Sequence, residues 1–238
     1  MNGTNIRGLL ESFEDPTPQV RRLFIRIEEP LPFRFRPGQY VSVRIPESGM
    51  PVFRPYSIAS APNPEGRIEL CFKHLEGGIA SRYLYSRAAG QILEMNGPSG
   101  DFALSQRDAS CALFIATGTG ISPIRSMLQH LFLGGFDGSA RLLFGVRQES
   151  DILYRGEFER LQREHAGFRF LPTLSRPDAA WKGLAGHVQD HLPALLQAGP
   201  DLEIYICGHQ SMVRDLHALV SRHGLHEEQI HHEKYIAT

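Results

Sequence analysis

The chain has 238 residues, room for one large domain or two small ones at about 150 residues per domain. It is 42% hydrophobic and 21% charged with a net charge of −1, which is typical of an ordinary globular protein. The near-zero charge excludes the strong positive field of a nucleic-acid binder. The sequence shows neither a signal-peptide core nor an apolar run of the ~18–20 residues that span a bilayer, so we expect a soluble cytoplasmic protein without a membrane partner.

The three cysteines are odd in number and far apart, at Cys71, Cys111 and Cys207. This spacing excludes a disulfide framework and paired CxxC metal ligands, and it suits a reducing compartment. Four clustered thiolates, which an iron–sulfur centre usually requires, are absent as well. His226, His231 and His232 form the one histidine group of interest, but neighbours on a strand point in opposite directions, so we predict no metal site.

The first hundred residues follow the period-two pattern of half-buried strands. Apolar side chains alternate with others in Leu23–Ile27, Gln39–Ile45 and Arg67–Lys73. Turns containing proline or glycine, Gly97-Pro98 among them, separate the short strands, and one short helix is expected near 79–87. This half predicts a small antiparallel β-barrel or sandwich.

After about Phe102 the pattern changes to short apolar runs that alternate with helical periodicity. Cys111–Ala116 is a run typical of a strand buried on both faces of a parallel sheet, and a helix beginning near Pro123 follows it. The unit recurs, which predicts a doubly wound parallel sheet. We therefore expect a two-domain protein, with a β domain over residues 1–103 and an α/β domain over 104–238. The later elements are strands at 142–146, 168–171, 204–207 and 230–235 and helices near 158–163, 186–197 and 212–220.

Two segments are suited to phosphate. Gly118-Thr119-Gly120 lies between a buried strand and a helix, where glycines allow a close backbone approach and the helix N-terminus attracts anions. Gly77-Gly78 opens a second small-residue turn into a helix. Upstream of it, Arg54-Pro55-Tyr56-Ser57 combines a cation, a flat ring and a hydroxyl, and on a strand Arg54 and Tyr56 share one face. A plain turn or a surface strand is the alternative for each segment taken alone.

Seven motifs, in the same order along nearly the whole chain, resemble those of the ferredoxin–NADP reductase superfamily of FAD-dependent, NAD(P)H-using reductases. The resemblance implies an N-terminal antiparallel β-barrel flavin domain and a C-terminal doubly wound NAD(P) domain in which nicotinamide C4 meets flavin N5. The motifs are FRPGQY from Phe35, RPYS from Arg54, GGIAS from Gly77, GPSGDF from Gly97, TGTGISP from Thr117, GVRQESDILY from Gly145 and CGHQSMV from Cys207.

The resemblance also implies roles for individual residues. Arg54 would bind the FAD pyrophosphate, Tyr56 would pack on the isoalloxazine ring and Ser57 would approach N5. Cys207 would lie beside the nicotinamide, and Ser57, Cys207 and Tyr235 are the catalytic candidates. The remaining predicted cofactor-binding residues are Pro55, Leu70, Phe72, Lys73, Gly77, Gly78, Ile79, Ala80 and Ser81 for FAD, and Thr117, Gly118, Thr119, Gly120, Pro123, Arg147, Ser175, Arg176, Gly208 and Met212 for NAD(P).

Several alternatives stay open. Ser175 and Arg176 suit the 2′-phosphate of NADPH, whereas Pro177, Asp178 and Trp181 resemble NADH-using members, so the co-substrate is NADPH or NADH. Tyr235 either covers the flavin or is a core aromatic of the last strand.

The implied activity is that of a monomeric ferredoxin–NAD(P)+ reductase-like enzyme serving a separate ferredoxin or flavodoxin. A flavin-docking subunit of an oxygenase or dehydrogenase complex and a free-flavin reductase are the alternatives. Five arginines could dock an acidic carrier or simply form a solvated face: Arg21, Arg22, Arg26, Arg34 and Arg36.

Overall fold

The computed structural model describes residues 4–46, 50–105, 110–196 and 201–235. The chain forms two compact units. The first combines the residues through Leu104 with Arg125–Gly134, and the second combines Ser105–Ile124 with the residues from Gly135 onward.

The first unit is a curled antiparallel sheet of six strands, ordered β4-β3-β6-β1-β2-β5. An isolated bridge between Ile58 and Leu70 joins the segment after β4 to β5 at the other end of that order, so the sheet curls toward closure. The strands are β1 (Thr4–Thr17), β2 (Val20–Glu29), β3 (Tyr40–Ile45), β4 (Val52–Ser57), β5 (Arg67–Lys73) and β6 (Ile92–Ser99), and the helix is α1 (Ile79–Tyr85).

Alternation along the strands builds the core of this unit. Leu23, Ile25 and Ile27 are each at most 1% exposed and point to the inner face, as their period-two spacing predicts. Val41 and Val43 do the same on β3. The antiparallel barrel-like fold expected for the first half is confirmed.

Two strands differ from expectation. The sequence does not predict β1. In the structure its pairing with β2 shifts register at Arg7/Gly8 and again between Leu10 and Ser12, so one regular alternation does not run along the whole strand. Its second half is largely exposed. Gly97-Pro98, expected as a turn, lies within β6, where Gly97 pairs with Thr4.

The second unit is a six-stranded parallel sheet ordered β10-β9-β8-β7-β11-β12, which confirms the doubly wound prediction. The strands are β7 (Cys111–Thr117), β8 (Ser139–Val146), β9 (Phe168–Leu174), β10 (Leu184–Ala185), β11 (Leu202–His209) and β12 (Ile230–Tyr235). The helices are α2 (Ile121–Leu133), of which only the first four residues cluster with this unit, α3 (Arg155–Glu164), α4 (Val188–Leu195) and α5 (Gln210–Arg222).

The direction of winding reverses between β7 and β11. From β7 the chain proceeds outward through β8 and β9 to β10, and then returns to the other side of β7 to form β11 and β12. In sheets of this kind ligands bind outside the carboxyl ends of the strands at the reversal point. Gly118 follows β7 and Gly208 lies near the end of β11, so the fold brings two glycine-bearing segments to that edge.

The helix expected at 186–197 is shorter, spanning Val188–Leu195, and Gln197 lies outside the described residues.

Candidate functional site

Strand β4 carries the arginine, tyrosine and serine predicted for the flavin site. Its only neighbour in the sheet order is β3, so it is an end strand, where Pro55 is tolerated. Alternation places Arg54 and Tyr56 on one face, as predicted. Arg54 is exposed, and its guanidinium donates to the Phe53 carbonyl at 3.2 Å. Within the part of the chain that the structure describes it pairs with no carboxylate, which keeps the cation available to an anionic ligand.

The Tyr56 ring is held by an aromatic cluster beneath β4. It packs edge-on against Phe72 at 5.5 Å between ring centroids, and Phe72 packs edge-on against Tyr85 at 5.6 Å. Burial raises the pKa of Tyr56 to about 12, with Arg54 partly opposing the effect. The phenol therefore stays neutral well above the pH at which an ordinary tyrosine ionises, and its ring can pack on a heterocycle.

Leu70 and Phe72, predicted to bind the cofactor, have core side chains that are at most 4% exposed. Any part they take in binding falls to their backbone groups. Lys73 is exposed at the end of β5.

The turn before α1 is closed by its own polar groups. The Ser81 hydroxyl accepts from the Leu75 N–H at 3.2 Å and lies 3.1 Å from the Leu75 and Gly78 carbonyls, to either of which it donates. Gly77 has φ +75° and open space where a Cβ would stand. Ser81 thus shapes the turn, and the predicted phosphate contacts of this segment fall to its backbone.

Gly118 and Gly120, in the turn between β7 and α2, differ in the space around them. A Cβ on Gly120 would lie 2.5 Å from the Cys207 carbonyl oxygen, so this glycine lets the turn pack against the end of β11. A Cβ on Gly118 would meet no atom within 4 Å, although its φ of +54° is left-handed. Gly118 borders open space at the carboxyl edge of the sheet, where a pyrophosphate would fit.

Cys207 and Tyr235 are brought together within the second unit. Cys207 lies on β11 opposite Glu233 of β12, and the Tyr235 side chain lies near enough to its thiol to affect the thiol pKa by hydrogen bonding. Complete burial, with a further contribution from Glu233, raises the pKa of the Cys207 thiol well above its ordinary value, while Tyr235 lowers it. The group remains a neutral thiol and lacks the character of a nucleophile.

Gly208 completes this corner. A Cβ on it would lie 2.2 Å from the Thr117 hydroxyl oxygen and 2.6 Å from the Met212 methyl carbon. Thr117 and Met212 therefore pack against Gly208, and Met212 is only 6% exposed. Pro123 occupies the first turn of α2, as predicted.

The carboxyl ends of β8 and β9 present two cations. The Ser175 N–H donates to the Val146 carbonyl at 3.0 Å and the Arg176 N–H donates to the Arg147 carbonyl at 2.9 Å, so the two segments run side by side. Arg147 and Arg176 are exposed, and Ser175 is half-buried. This set of donors matches a phosphate monoester.

Asp178 and Trp181, which resemble residues of NADH-using members, form hydrogen bonds within their own loop. The Asp178 carboxylate accepts from the Ala180 and Trp181 N–H groups at 2.9 and 3.0 Å, which closes the loop. The Trp181 indole N–H donates to the Leu184 carbonyl at 2.8 Å. Asp178 is therefore committed to its own turn.

Two family models match the chain: the oxidoreductase FAD-binding domain over residues 9–104 and the oxidoreductase NAD-binding domain over 114–218. A ferredoxin–NADP reductase B of Sorangium cellulosum is 38% identical, over 92% of this chain and 93% of its own length. The chain belongs to the ferredoxin–NADP reductase superfamily. Its FAD-binding and NAD-binding domains and its oxidoreductase class follow from that membership.

Other members of the superfamily are longer. The reductase subunit of an aromatic O-demethylase of Amycolatopsis is 32% identical over 93% of this chain, and the phenol hydroxylase P5 protein of Acinetobacter pittii is 29% identical over 94%. The chain spans 66% and 64% of their lengths. A ferredoxin NADP+ reductase structure from Neisseria gonorrhoeae with bound FAD and NADP has the same fold, with a TM-score of 0.83 at 23% identity over 98% of this chain and 99% of that one.

Three of the five arginines considered for carrier docking form ion pairs with carboxylates. Arg21 is 8% exposed and makes two 2.7 Å bonds to Asp15, and Arg22 and Arg26 are also paired with carboxylates. Of these three only Arg21 is buried, whereas the Arg22 and Arg26 side chains keep 19% and 40% of their surface exposed. Arg34 and Arg36 are exposed.

The C-terminal histidines have separate partners. His231 lies 2.6 Å from the buried Glu203 carboxylate, while the His232 ring packs edge-on against His217. Among the described residues, no group of three or more His, Cys, Asp or Glu side chains is arranged to hold a metal ion. Nor is any helix in the described ranges both long and apolar enough to cross a membrane.

Sequence reasoning missed Glu233, Glu69 and Arg125. Glu233 lies between His231 and Tyr235 on the same face of β12, and alternation along that strand would have found it. Glu69 and Arg125 are 56 residues apart and meet only through the fold.

Proposed function

We propose that this chain is an FAD-dependent NAD(P)H oxidoreductase that passes electrons to a separate one-electron carrier such as ferredoxin or flavodoxin. The observation that carries the proposal is the pair of sites: Arg54, Tyr56 and Ser57 on β4, and the Gly118–Gly120 turn with Cys207 at the reversal point. The 38% identity to a ferredoxin–NADP reductase supports the choice of carrier.

The residues of the first unit fit a flavin dinucleotide. Arg54 offers an exposed cation for the pyrophosphate, and Tyr56 offers a neutral ring fixed from below by Phe72. FAD bound there supplies hydride acceptance from NAD(P)H and one-electron delivery to the carrier. Ser57, 6% exposed at the end of β4, would place its hydroxyl by the reacting edge of the ring. Gly77–Ser81 would supply backbone donors to the phosphates.

The residues of the second unit fit a dinucleotide. Thr117–Gly120 would hold its pyrophosphate, and Gly208 would allow the ring to approach the end of β11. Because Cys207 is fully buried and its thiol stays protonated, its part in binding the nicotinamide would fall to its backbone at the end of β11, and it would take no proton. Tyr235 would keep the thiol oriented. Proximity and orientation, more than acid–base chemistry, then carry the hydride transfer.

NADPH is the proposed preferred coenzyme. Arg147 and Arg176 are exposed cations on adjacent backbone segments next to Ser175, and the Asp178 carboxylate is engaged in its own turn. A 2′-phosphate would therefore meet two guanidinium groups and a hydroxyl.

A reductase component of an oxygenase system is the second candidate, supported by the relatives in such systems at 29–32% identity. To separate the two, cytochrome c reduction by the purified protein is measured with NADPH and either ferredoxin or an oxygenase component. Ferredoxin-dependent reduction supports the first candidate, and dependence on the oxygenase component supports the second. If the protein instead loses its flavin on gel filtration and uses added flavin as a saturable substrate, both candidates are wrong and the protein is a free-flavin reductase.

We further propose domain limits of 1–103 and 104–238, and a cytoplasmic monomer. The matched ranges 9–104 and 114–218 support the limits. The three cysteines are all free, which supports a reducing compartment. Size-exclusion chromatography with light scattering tests the monomer.

A further inference from the structure

Glu69 is a buried carboxylate shared by two arginines in the first unit. Arg22 donates to both of its oxygens, at 2.7 and 3.2 Å, and Arg125 donates to Oε2 at 2.8 Å. The side chains of Glu69 and Arg125 are only 5% and 8% exposed. A buried ion cluster of this kind is costly to desolvate, and its contribution to stability alone is therefore a weak reason for its presence.

The same arginine fixes the chain that follows β4. Arg125 also donates to the Ala59 carbonyl at 2.8 Å, and the neighbouring Ser126 hydroxyl donates to the Ser60 carbonyl at 2.6 Å. The Ala61 N–H donates to the Gln129 side chain at 2.9 Å. Three side chains from Arg125–Gly134 thus hold three consecutive residues.

Glu69 holds this segment from the opposite side. Its N–H donates to the Ser60 hydroxyl at 3.0 Å, and its carbonyl accepts from the Ala59 N–H at 2.8 Å. Residues 59–61 are therefore bonded both to β5 and to Arg125–Gly134. This clamped segment, defined as residues 59–61, begins two residues beyond Ser57.

The clamped segment follows β4, a strand at the end of the sheet order. Among the described strands β4 is the end strand of the sheet and pairs with β3. Beyond Ser57 the chain is held by the Ile58 N–H bond to the Gln39 carbonyl, by the bridge to Leu70 and by the bonds of the clamped segment. A shift of the clamped segment would be transmitted to Ser57 through two peptide units. Misplacing a reacting group by about 1 Å can cost on the order of a hundredfold in rate.

We propose that Glu69 and Arg125 are positioning residues, which set the placement of Ser57 and the flavin-binding strand through the backbone of residues 59–61. The inference rests on the proposed function, because it assigns the Ser57 hydroxyl to the reacting edge of the flavin. The ion cluster of Arg22, Glu69 and Arg125 would then affect the rate of hydride transfer as well as the stability of the protein.

The test compares Glu69→Gln with a matched variant, Glu11→Gln. Glu11 also lies between two arginines, Arg26 at 3.1 Å and Arg67 at 3.0 Å, but it is more exposed and does not bond the clamped segment. The measurements are amide hydrogen exchange of a peptide covering residues 57–61 in FAD-free protein, FAD affinity, and the rate of flavin reduction at saturating NADPH. Thermal unfolding of each variant gives its stability.

Glu69→Gln is expected to speed exchange in residues 57–61, to weaken FAD binding, and to lower the limiting reduction rate at least about tenfold with little change in the NADPH dissociation constant. Glu11→Gln is expected to change none of these. Arg125→Lys keeps the charge on a shorter side chain, and because both Arg125 bonds come from one nitrogen, which an ammonium can imitate, it should give a smaller loss than Glu69→Gln. It also serves as the test variant if Glu69→Gln does not fold.

A lowered melting temperature with unchanged exchange at residues 57–61 and unchanged reduction rate would show that the cluster is purely structural and overturn the proposal. Failure of the proposed function has a different signature, since the unaltered protein would then not be reduced by NADPH or NADH. In that event, unchanged exchange and FAD affinity in Glu69→Gln overturn the positioning role, and altered values support it.

Discussion

Cys207 and Tyr235 lie on neighbouring parallel strands, and hydrogen bonding from the Tyr235 side chain lowers the pKa of the buried Cys207 thiol, against the larger effect of burial. The two residues are 28 positions apart in the sequence, and both are predicted there as catalytic candidates.

Removing the Tyr235 hydroxyl should slow the reaction without unfolding the protein. Tyr235→Phe keeps the ring and deletes the bond to Cys207, so we expect the limiting rate of flavin reduction to fall about fivefold, equivalent to about 1 kcal/mol. Stopped-flow absorbance at saturating NADPH measures it. Tyr83→Phe on α1 is the control and should react at the original rate; equal rates in all three proteins would remove Tyr235 from the mechanism.

Alkaline pH should destabilise the protein partly through Cys207. In the unfolded chain the thiol ionises near its ordinary pKa of 9.0, whereas burial keeps it protonated in the folded protein at that pH. The unfolded state then binds fewer protons, so the free energy of unfolding falls as pH rises above about 9.

Urea unfolding at about pH 8 and about pH 10 should show a smaller decline in Cys207→Ala than in the unaltered protein. Tyr56 and Tyr205, whose pKa values burial raises to about 12, are present in both proteins and cancel in the comparison. A decline of the same size in both would contradict the assigned burial effect.

The two glycines of the Gly118–Gly120 turn should respond differently to alanine. Gly120→Ala places a Cβ 2.5 Å from a backbone oxygen of β11, so we expect a loss of about 1–3 kcal/mol in the free energy of unfolding and weaker NADP+ binding. Gly118→Ala meets open space and should lose only about 1 kcal/mol from its left-handed backbone. Chemical unfolding and NADP+ titration of both variants check the ranking, and a reversed order would contradict the packing described for Gly120.

Arg176 should discriminate between coenzymes. Arg176→Ala removes a charge-assisted contact to a 2′-phosphate, so the KM for NADPH is expected to rise roughly 10- to 100-fold while that for NADH stays constant. Steady-state kinetics with both coenzymes measure the ratio. Arg169→Ala, near the amino end of β9, is the matched control. Equal effects on NADPH and NADH would rule out 2′-phosphate recognition by Arg176.

The sequence predicted what depends on local periodicity and on short motifs. Alternation in Leu23–Ile27 identified β2, and the apolar run at Cys111 identified β7 with its glycine turn. It did not identify β1, where register irregularities interrupt the alternation. Nor could it pair Glu69 with Arg125, because a contact across 56 residues leaves no local pattern in either segment. The ion pairs of Arg21, Arg22 and Arg26 likewise depend on carboxylates of strands that become neighbours only in the fold.

The proposed function requires that this one chain hold FAD and accept hydride from a nicotinamide coenzyme. The most direct measurement is anaerobic titration of the purified, gel-filtered protein with NADPH and, in parallel, with NADH, followed by flavin absorbance. We expect the protein to retain flavin that about one equivalent of NADPH bleaches fully, with NADH less effective. Protein that retains no flavin after reconstitution with FAD, or flavin that neither coenzyme bleaches, would contradict it.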